Sequence, residues 1–306
     1  MSSTAEAAFF CVADSRYFLG AVGTINSLRL LGHVEPIHLL DAGLTAEQRD
    51  LLAPEVELEQ PPADAPPWLQ KTQLPLSHSA QTIVLIDTDI VVTRHLGELI
   101  SRAAASAVVA FENSIDRFDP AWERLLGLGP LRRGPYLCTA IVAIGRSPGE
   151  EVVSLMEEHQ ELVDFERTWW RRNEPGYPFL YADQDVFNAI VAARVPAERV
   201  ESLPSRLAPI PPFEGLEVRD AGALRCAYAD GTEPYVVHHY VTKPWLEPTY
   251  HGVYSQLLHR LLVGSDVAIR VPRESLPLRF RSGPFAFAER KRINLGQRLR
   301  WTLDRS

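Results

Sequence analysis

The stretch Thr82-Ile83-Val84-Leu85-Ile86-Asp87-Thr88-Asp89-Ile90-Val91-Val92 constrains this chain more than any other. Four consecutive aliphatic residues, Ile83 to Ile86, show no polar alternation, the pattern of a strand buried on both faces of a mostly parallel sheet. The run then stops at two carboxylates spaced by one residue. In an open α/β sheet, ligands bind in the crevice beyond the carboxyl ends of the strands, and Asp87 and Asp89 fall there. Two neighbouring carboxylates repel unless positive charge lies between them. Oxygen ligands suit a hard divalent ion, Mn2+ or Mg2+, with substrate phosphates completing its shell. The same triplet is also explained by Asp87 capping the next turn and Asp89 facing solvent, so its meaning depends on what else the chain carries.

A chain of 306 residues allows one large α/β domain or two small ones. No apolar run approaches the ~18–20 residues of a membrane span, and residues 1–8 lack the basic and apolar regions of a secretory leader. Cys11, Cys138 and Cys226 are scattered, with neither metal-ligand spacing nor an even disulfide framework, which points to a reducing cytoplasm. A net charge of −8 argues against general nucleic-acid binding. That charge is uneven: from Pro277 onward the chain is net +6, leaving −14 for the remainder.

In chain order, Ala8 to Ala13 reads as a first strand buried on both faces. Asp14-Ser15-Arg16-Tyr17 ends it, and a helix over residues 19–31 follows with an apolar i, i+3 stripe and Gly32 beyond its end. Residues 35–40 give a second strand, and Thr45-x-x-Gln48 is a capping-box start for a short helix. This β-α-β-α order favours a Rossmann-like nucleotide-binding half. No Gly-x-Gly-x-x-Gly follows the first strand, which argues against a dinucleotide cofactor. Pro61-Pro62 and Pro66-Pro67 bracket a loop, and residues 68–77 read as helical with Pro75 kinking or ending the helix. Residues 96–105 read as a helix and 107–111 as a strand. Residues 112–135 form a long functional loop, such as a lid, or are partly helical, and 136–144 read as a strand. A helix over 148–163 opens on Pro148, with Glu150 and Glu151 suiting its positive end. Trp169 and Trp170 are packing residues or the wall of an acceptor site.

Asp183-Gln184-Asp185 opens a further helix, with Asp183 near the N-cap; capping accounts for one aspartate but not for the cluster. The second decisive stretch is Tyr235-Val236-Val237-His238-His239-Tyr240-Val241-Thr242-Lys243-Pro244-Trp245. A strand there sends His238 and His239 to opposite faces, so one of them can face a given site. A neutral imidazole is a competent ligand for Mn2+, and Lys243, before a rigid proline, can meet a diphosphate as a point charge.

Taken together, these motifs resemble the family 8 glycosyltransferases, the group containing glycogenin and bacterial lipopolysaccharide galactosyltransferases. The resemblance covers roughly residues 8–262. Ala13-Asp14-x-x-Tyr17-x-x-Gly20-Ala21 resembles the family's first strand and helix, which hold the nucleotide base. Lys71, sixteen residues before Asp87, resembles its donor-contacting basic residue. Asp87-Thr88-Asp89 is similar to the family's D-x-D triplet, Asp183-Gln184 to the pair beside the donor sugar, and His-x-x-x-Lys-Pro-Trp to its closing signature.

The resemblance implies an α/β GT-A fold: a Rossmann-like nucleotide-binding half and a mostly parallel central sheet flanked by helices, over residues 1–262. A basic C-terminal tail over residues 263–306 would follow. It implies a hexosyltransferase using a UDP-sugar donor and Mn2+ (or Mg2+), with retention at the anomeric carbon and a hydroxyl acceptor of undefined type. Carried over residue by residue, Asp87 and Asp89 bind the metal with His238, or alternatively His239, as third ligand. Ala13, Asp14, Tyr17, Lys71, Asp87, Thr88 and Lys243 hold the donor. Asp183, Gln184 and Lys243 act on the sugar and its leaving group. Two departures stand out. Cys138-Thr139-Ala140 replaces the family's Asn-Ser/Ala-Gly, and the segment from histidine to lysine is one residue short counted from His238 or two from His239.

Two other classes compete: a sugar nucleotidyltransferase, which would carry a Gly-rich basic loop after the first strand, and a sugar-nucleotide-binding protein without transfer. In the tail, Phe280, Phe285, Phe287, Ile293, Leu295, Leu299 and Trp301 interleave with cations. Such a segment is either an ordinary solvated terminus or a peripheral contact with an anionic membrane through residues 277–306, at the inner face of the membrane.

Overall fold

The computed structural model describes residues 6–61, 71–105, 107–247 and 252–303, with side chains to residue 295. It opens with β1 (Ala7–Ala13), α1 (Phe18–Leu30), β2 (Ile37–Asp41), α2 (Ala46–Leu52) and the short β3 (Glu57–Glu59). Each follows from local chemistry. β1 is apolar and almost wholly buried, and burying a ring such as Phe9 or Phe10 stabilises by about 1.5–3 kcal/mol. The Asp14 carboxylate accepts the N–H groups of Arg16 and Tyr17, both at 2.9 Å, and so folds the turn into α1. Gly32, with φ of +88°, lies just past the end of α1 in the left-handed region that glycine adopts without strain. Thr45 and Gln48 form the expected capping box on α2.

The chain continues through β4 (Thr82–Ile86), β5 (Ile90–Val92), α3 (Gly97–Ala104), β6 (Val108–Glu112), α4 (Ala121–Leu126), β7 (Leu137–Gly145) and α5 (Arg146–Gln160). It closes with α6 (Asp183–Arg194), β8 (Val200–Leu203), β9 (Glu217–Asp220), β10 (Arg225–Ala227), β11 (Val236–His238), α7 (Gly252–Val263) and α8 (Pro284–Leu303). Seven strands form one sheet in the order β3-β2-β1-β4-β7-β6-β8. All neighbours are parallel except β7, which runs antiparallel to both β4 and β6. Alternate residues of β1 and β4 feed two cores. Phe9, Cys11, Val84 and Ile86 meet Val22, Ile25 and Leu28 of α1 on one face, while Phe10, Ile83 and Leu85 meet Val152, Met156, Val186 and Phe187 of α5 and α6 on the other. This is the mixed, mostly parallel sheet flanked by helices that the sequence predicts.

β5 leaves the main sheet and pairs antiparallel with β11, with His238 opposite Ile90. The pairing carries the two decisive sequence stretches to one place, although about 150 residues separate them.

Several local expectations shift. Helix α5 starts at Arg146, so Pro148 is its third residue, where the amide proline lacks would have no partner within the helix. Pro75 opens a single 3-10 turn, Pro75–Ser77, instead of kinking a helix; residues 62–70, including Pro62, Pro66, Pro67 and Trp68, lie outside the described residues. Of the two readings of the stretch 112–135, the partly helical one holds: it contains α4, anchored by the buried Trp122. Beyond residue 262, Ile269, Val271, Leu276 and Phe280 pack into the α1-side core. The Asn26 side chain ties this segment down, donating to the Leu261 and Ile269 carbonyls and accepting from the Ile269 amide.

Candidate functional site

The site lies at the carboxyl end of β4. There the Asp87 amide donates to the Ala140 carbonyl of β7 at 2.8 Å, fixing the turn between β4 and β5. Asp89 ends that turn buried, and the His239 amide donates to its carbonyl at 3.1 Å. Alternation along β11 and its exit separates the two histidines as expected. His238 Nε2 comes within 3.2 Å of Asp89 Oδ1, whereas the His239 ring packs against Phe213 and Tyr254, with centroids 5.9 and 5.1 Å away. Ligand atoms of Asp87, Asp89 and His238 lie within 4.8 Å of one another, a spacing that could hold one divalent ion; His239 is not in that group. Adjacent ligands of a six-coordinate ion at about 2.1 Å stand roughly 3 Å apart, close to the observed Asp89–His238 separation. Asp89 Oδ1 is also shut from solvent without a hydrogen bond, an orphan oxygen of the kind an ion would satisfy. The donor set and this orphan fit a hard or borderline cation.

Two ammonium groups flank the carboxylates. Lys71 Nζ donates to Asp87 Oδ1 at 2.7 Å and to the Thr139 carbonyl at 2.9 Å, and stands 3.9 Å from Asp183. Lys243 Nζ donates to Asp89 Oδ2 and to the His239 carbonyl. Burial by itself would raise the Asp89 carboxyl, but the Lys243 ammonium and His238 outweigh it and hold the group far below the usual carboxylate range. Burial likewise works against the His238 imidazolium, and Asp89 reverses this, pushing it up to about 10. Burial disfavours the charged form of Lys71, yet Asp87 and Asp183 raise it above its ordinary value.

On the far side stands the start of α6. Ala182, with φ of +50°, turns the chain so that Asp183 is the first helical residue and does not cap the helix. Its carboxylate instead accepts from the Thr139 hydroxyl at 3.2 Å, and Gln184 Oε1 accepts from the Thr139 amide at 3.3 Å. Burial leads the upward shift of the Asp183 carboxyl, partly opposed by Lys71. Asp185 is the structural member of the trio. Arg117 and the Tyr136 hydroxyl both donate to it at 2.7 Å, and the Tyr181 amide at 2.8 Å, which fixes how α6 enters the site.

The β1–α1 turn borders the site. Thr88 donates through its hydroxyl to the Val12 carbonyl, next to Ala13, and Lys243 Nζ lies 5.5 Å from the centre of the Tyr17 ring. Trp245 donates from its indole to the Arg16 carbonyl at 2.7 Å and packs edge-on to Tyr17. Gly20 is required here: a Cβ would stand 2.3 Å from the Thr88 carbonyl and 2.7 Å from the Trp245 ring. The structure thus brings Tyr17, Lys71, Asp87, Thr88, Asp89, Asp183, Gln184, His238 and Lys243 together beyond the carboxyl end of β4, with Asp14 in the adjoining turn.

Sequence reasoning missed Thr139, whose carbonyl, amide and hydroxyl serve Lys71, Gln184 and Asp183 respectively. Its only sequence signal was its place in the altered Cys138-Thr139-Ala140 triplet. The Trp169 and Trp170 rings meet Tyr240 at 6.0 and 6.1 Å, and Tyr240 in turn stands 5.9 Å from His238, so an aromatic group borders the site.

No family model and no curated protein matches the chain. Among solved structures, an active-site Gln-to-Glu mutant of LgtC aligns with a TM-score of 0.57 at 15% identity, covering 88% of this chain and 98% of that one. The galactosyltransferase LgtC in complex with donor and acceptor sugar analogs aligns at 0.53, with the same identity and coverage. At this identity the likeness shows the fold, and the fold is GT-A.

Proposed function

We propose that the chain is a retaining hexosyltransferase. It would move a hexosyl unit from a UDP-sugar to a hydroxyl acceptor (a glycan, a lipid-linked sugar or a small molecule) with Mn2+, or Mg2+, bound by Asp87, Asp89 and His238. One observation carries the reading: three ligating side chains from two distant segments converge at the carboxyl end of β4, between two buried lysines. The likeness to LgtC adds support, because that protein has been captured with donor and acceptor sugar analogs and has an active-site glutamine, as Gln184 would be here.

The bond between the anomeric carbon and the diphosphate oxygen breaks, the acceptor oxygen bonds to that carbon on the same face, and the acceptor proton leaves with the diphosphate. When bound, the metal supplies positive charge against the diphosphate. Lys243 and Lys71 add charge from this chain, already desolvated and therefore strong toward an incoming anion. Asp183 and Gln184, fixed by Thr139, receive the hydroxyls of the sugar and steady positive charge as it develops on the ring. The Asp14 turn, Ala13, Tyr17 and Thr88 form the side on which the uridine would rest.

A second reading has one observation in its favour. Lys71 and Lys243 each pair with one of the two carboxylates, so the ammonium groups could balance their charge in a sugar-nucleotide binder without transfer. UDP release from UDP-sugars without acceptor separates the two. Slow release, abolished by EDTA and reduced about 10²–10³-fold in Asp89→Asn, is expected of the transferase. Binding without release would favour the binder, and full release by Asp89→Asn would overturn the metal assignment. For the tail, we propose a peripheral contact of α8 with an anionic, inner-face membrane surface in a cytoplasmic protein. Phe285, Phe287 and Leu295 are exposed beside Lys291 and Arg292, and no helix among the described residues is long and apolar enough to cross a membrane.

A further inference from the structure

A second cluster of ligating side chains lies at the edge of the sheet, away from the crevice. His38 is the second residue of β2, Glu59 the last of the outermost strand β3, and His78 follows the Pro75–Ser77 turn. Glu59 Oε1 lies 3.0 Å from His38 Nδ1 and 2.7 Å from His78 Nε2, so one carboxylate oxygen stands against two imidazoles. Ligand atoms of the three residues fall within 4.8 Å of one another.

We propose that His38, Glu59 and His78 form a transition-metal site, with Zn2+ its fitting occupant and a water in the fourth position. The nitrogens are presented for ligation. The rings of His38 and His78 have centroids 3.7 Å apart with planes tilted by 34°, and Phe10 stacks on His38 at 5.0 Å, holding its plane. Two cationic imidazoles would repel at that distance, and the neutral form is the one that ligates. His78 Nε2 is shut from solvent and makes no hydrogen bond, although Glu59 is in contact with it; a shared ion would satisfy both. Glu57 Oε2, on the more exposed side, stands 3.4 Å from His38 Nδ1. Two imidazoles and one carboxylate, completed by a water, make a four-coordinate nitrogen–oxygen set that suits Zn2+. The crevice site, with two carboxylates and one imidazole, suits Mn2+ or Mg2+ better.

The location gives the site a use. Glu59 ends β3, and the chain returns to the sheet edge at His78 after passing Lys71, seven residues earlier, which reaches Asp87. An ion shared by Glu59 and His78 ties the end of β3 to the turn that follows Lys71.

The test uses the full chain stripped with EDTA and titrated with Co2+ in excess Mg2+, which fills the oxygen-rich crevice and competes poorly for two imidazoles. The expected result is one equivalent of Co2+ with the strong visible bands of four-coordinate geometry, displaced by Zn2+. His78→Gln can still hydrogen-bond to Glu59 but removes the imidazole. It should keep the metal-free thermal midpoint while losing the bands, with Zn2+ affinity lower by about 100-fold or more. Glu59→Gln is the second variant should His78→Gln fail to fold. Weak six-coordinate bands in the wild type, or a folded variant with unchanged spectrum and affinity, would overturn the proposal.

Discussion

One residue of register decides which of two adjacent histidines faces the carboxylates. His238 meets Asp89, while His239 lies against Phe213 and Tyr254. His238→Gln is therefore expected to weaken Mn2+ binding by about 10–100-fold, measured by calorimetric titration, with the fold intact. His239→Gln should lower the thermal midpoint and leave Mn2+ affinity within a few-fold of the wild type; the reverse pattern would move the ligand to His239. The carboxylates were legible because charge directly after an unbroken apolar strand has few structural uses. Thr139 was not, because much of its contribution is backbone, and only the pairing of β7 with β4 brings it to Lys71. Asp185 carried the opposite ambiguity. In sequence it looks like its neighbour Asp183, and only the Arg117 and Tyr136 contacts show that it holds the helix.

At the scale of elements, the β1–α1 unit and the β4 turn are locked by close approach at Gly20. Gly20→Ala should gain about 0.5–1 kcal/mol in helix propensity but cost about 1–3 kcal/mol in displaced backbone and ring. The clash wins: denaturant titration should show net destabilisation, with UDP affinity falling as Thr88 shifts. A second lock is His33, between α1 and β2. It accepts the Leu96 amide at Nε2 and pairs through Nδ1 with Glu35 at 3.0 Å. Partial burial works to raise the Glu35 carboxyl, but the His33 bond and backbone amides outweigh it and lower it to about 2. A depressed carboxyl gives stability that is complete above its unfolded value and lost as pH falls through the folded one. The midpoint gap between wild type and Glu35→Gln should thus be constant above about pH 5 and close toward about pH 2. A gap unchanged at low pH would remove this role. Helix α1, the α2 capping box and the strands β1, β2, β4, β6 and β7 were readable from periodicity and turn chemistry, whereas the short β3, β8, β9 and β10 were not. The direction of β7 was not, since a run such as Ala140 to Ile144 is equally apolar read either way.

For the whole molecule, sequence order alone hid two things: β5 leaves the main sheet to pair with β11, and the core continues to Phe280. The second point changes how the tail must be tested, because truncation at Pro277 would remove the buried Phe280 along with the charge. The surface variant Phe285→Ser with Lys291→Glu is expected to reduce sedimentation with anionic liposomes several-fold at unchanged thermal midpoint; unchanged sedimentation would dismiss the membrane contact. The central claim, a metal-dependent nucleotide-sugar site in the crevice beyond β4, is tested most directly by thermal shift. UDP-, GDP-, TDP- and ADP-sugars would each be added with Mn2+, Mg2+ or EDTA, since a ligand that binds only the folded state must raise its midpoint. A rise with a UDP-sugar and Mn2+ that EDTA removes is the predicted result. No rise with any nucleotide sugar, or a rise indifferent to EDTA, would contradict it.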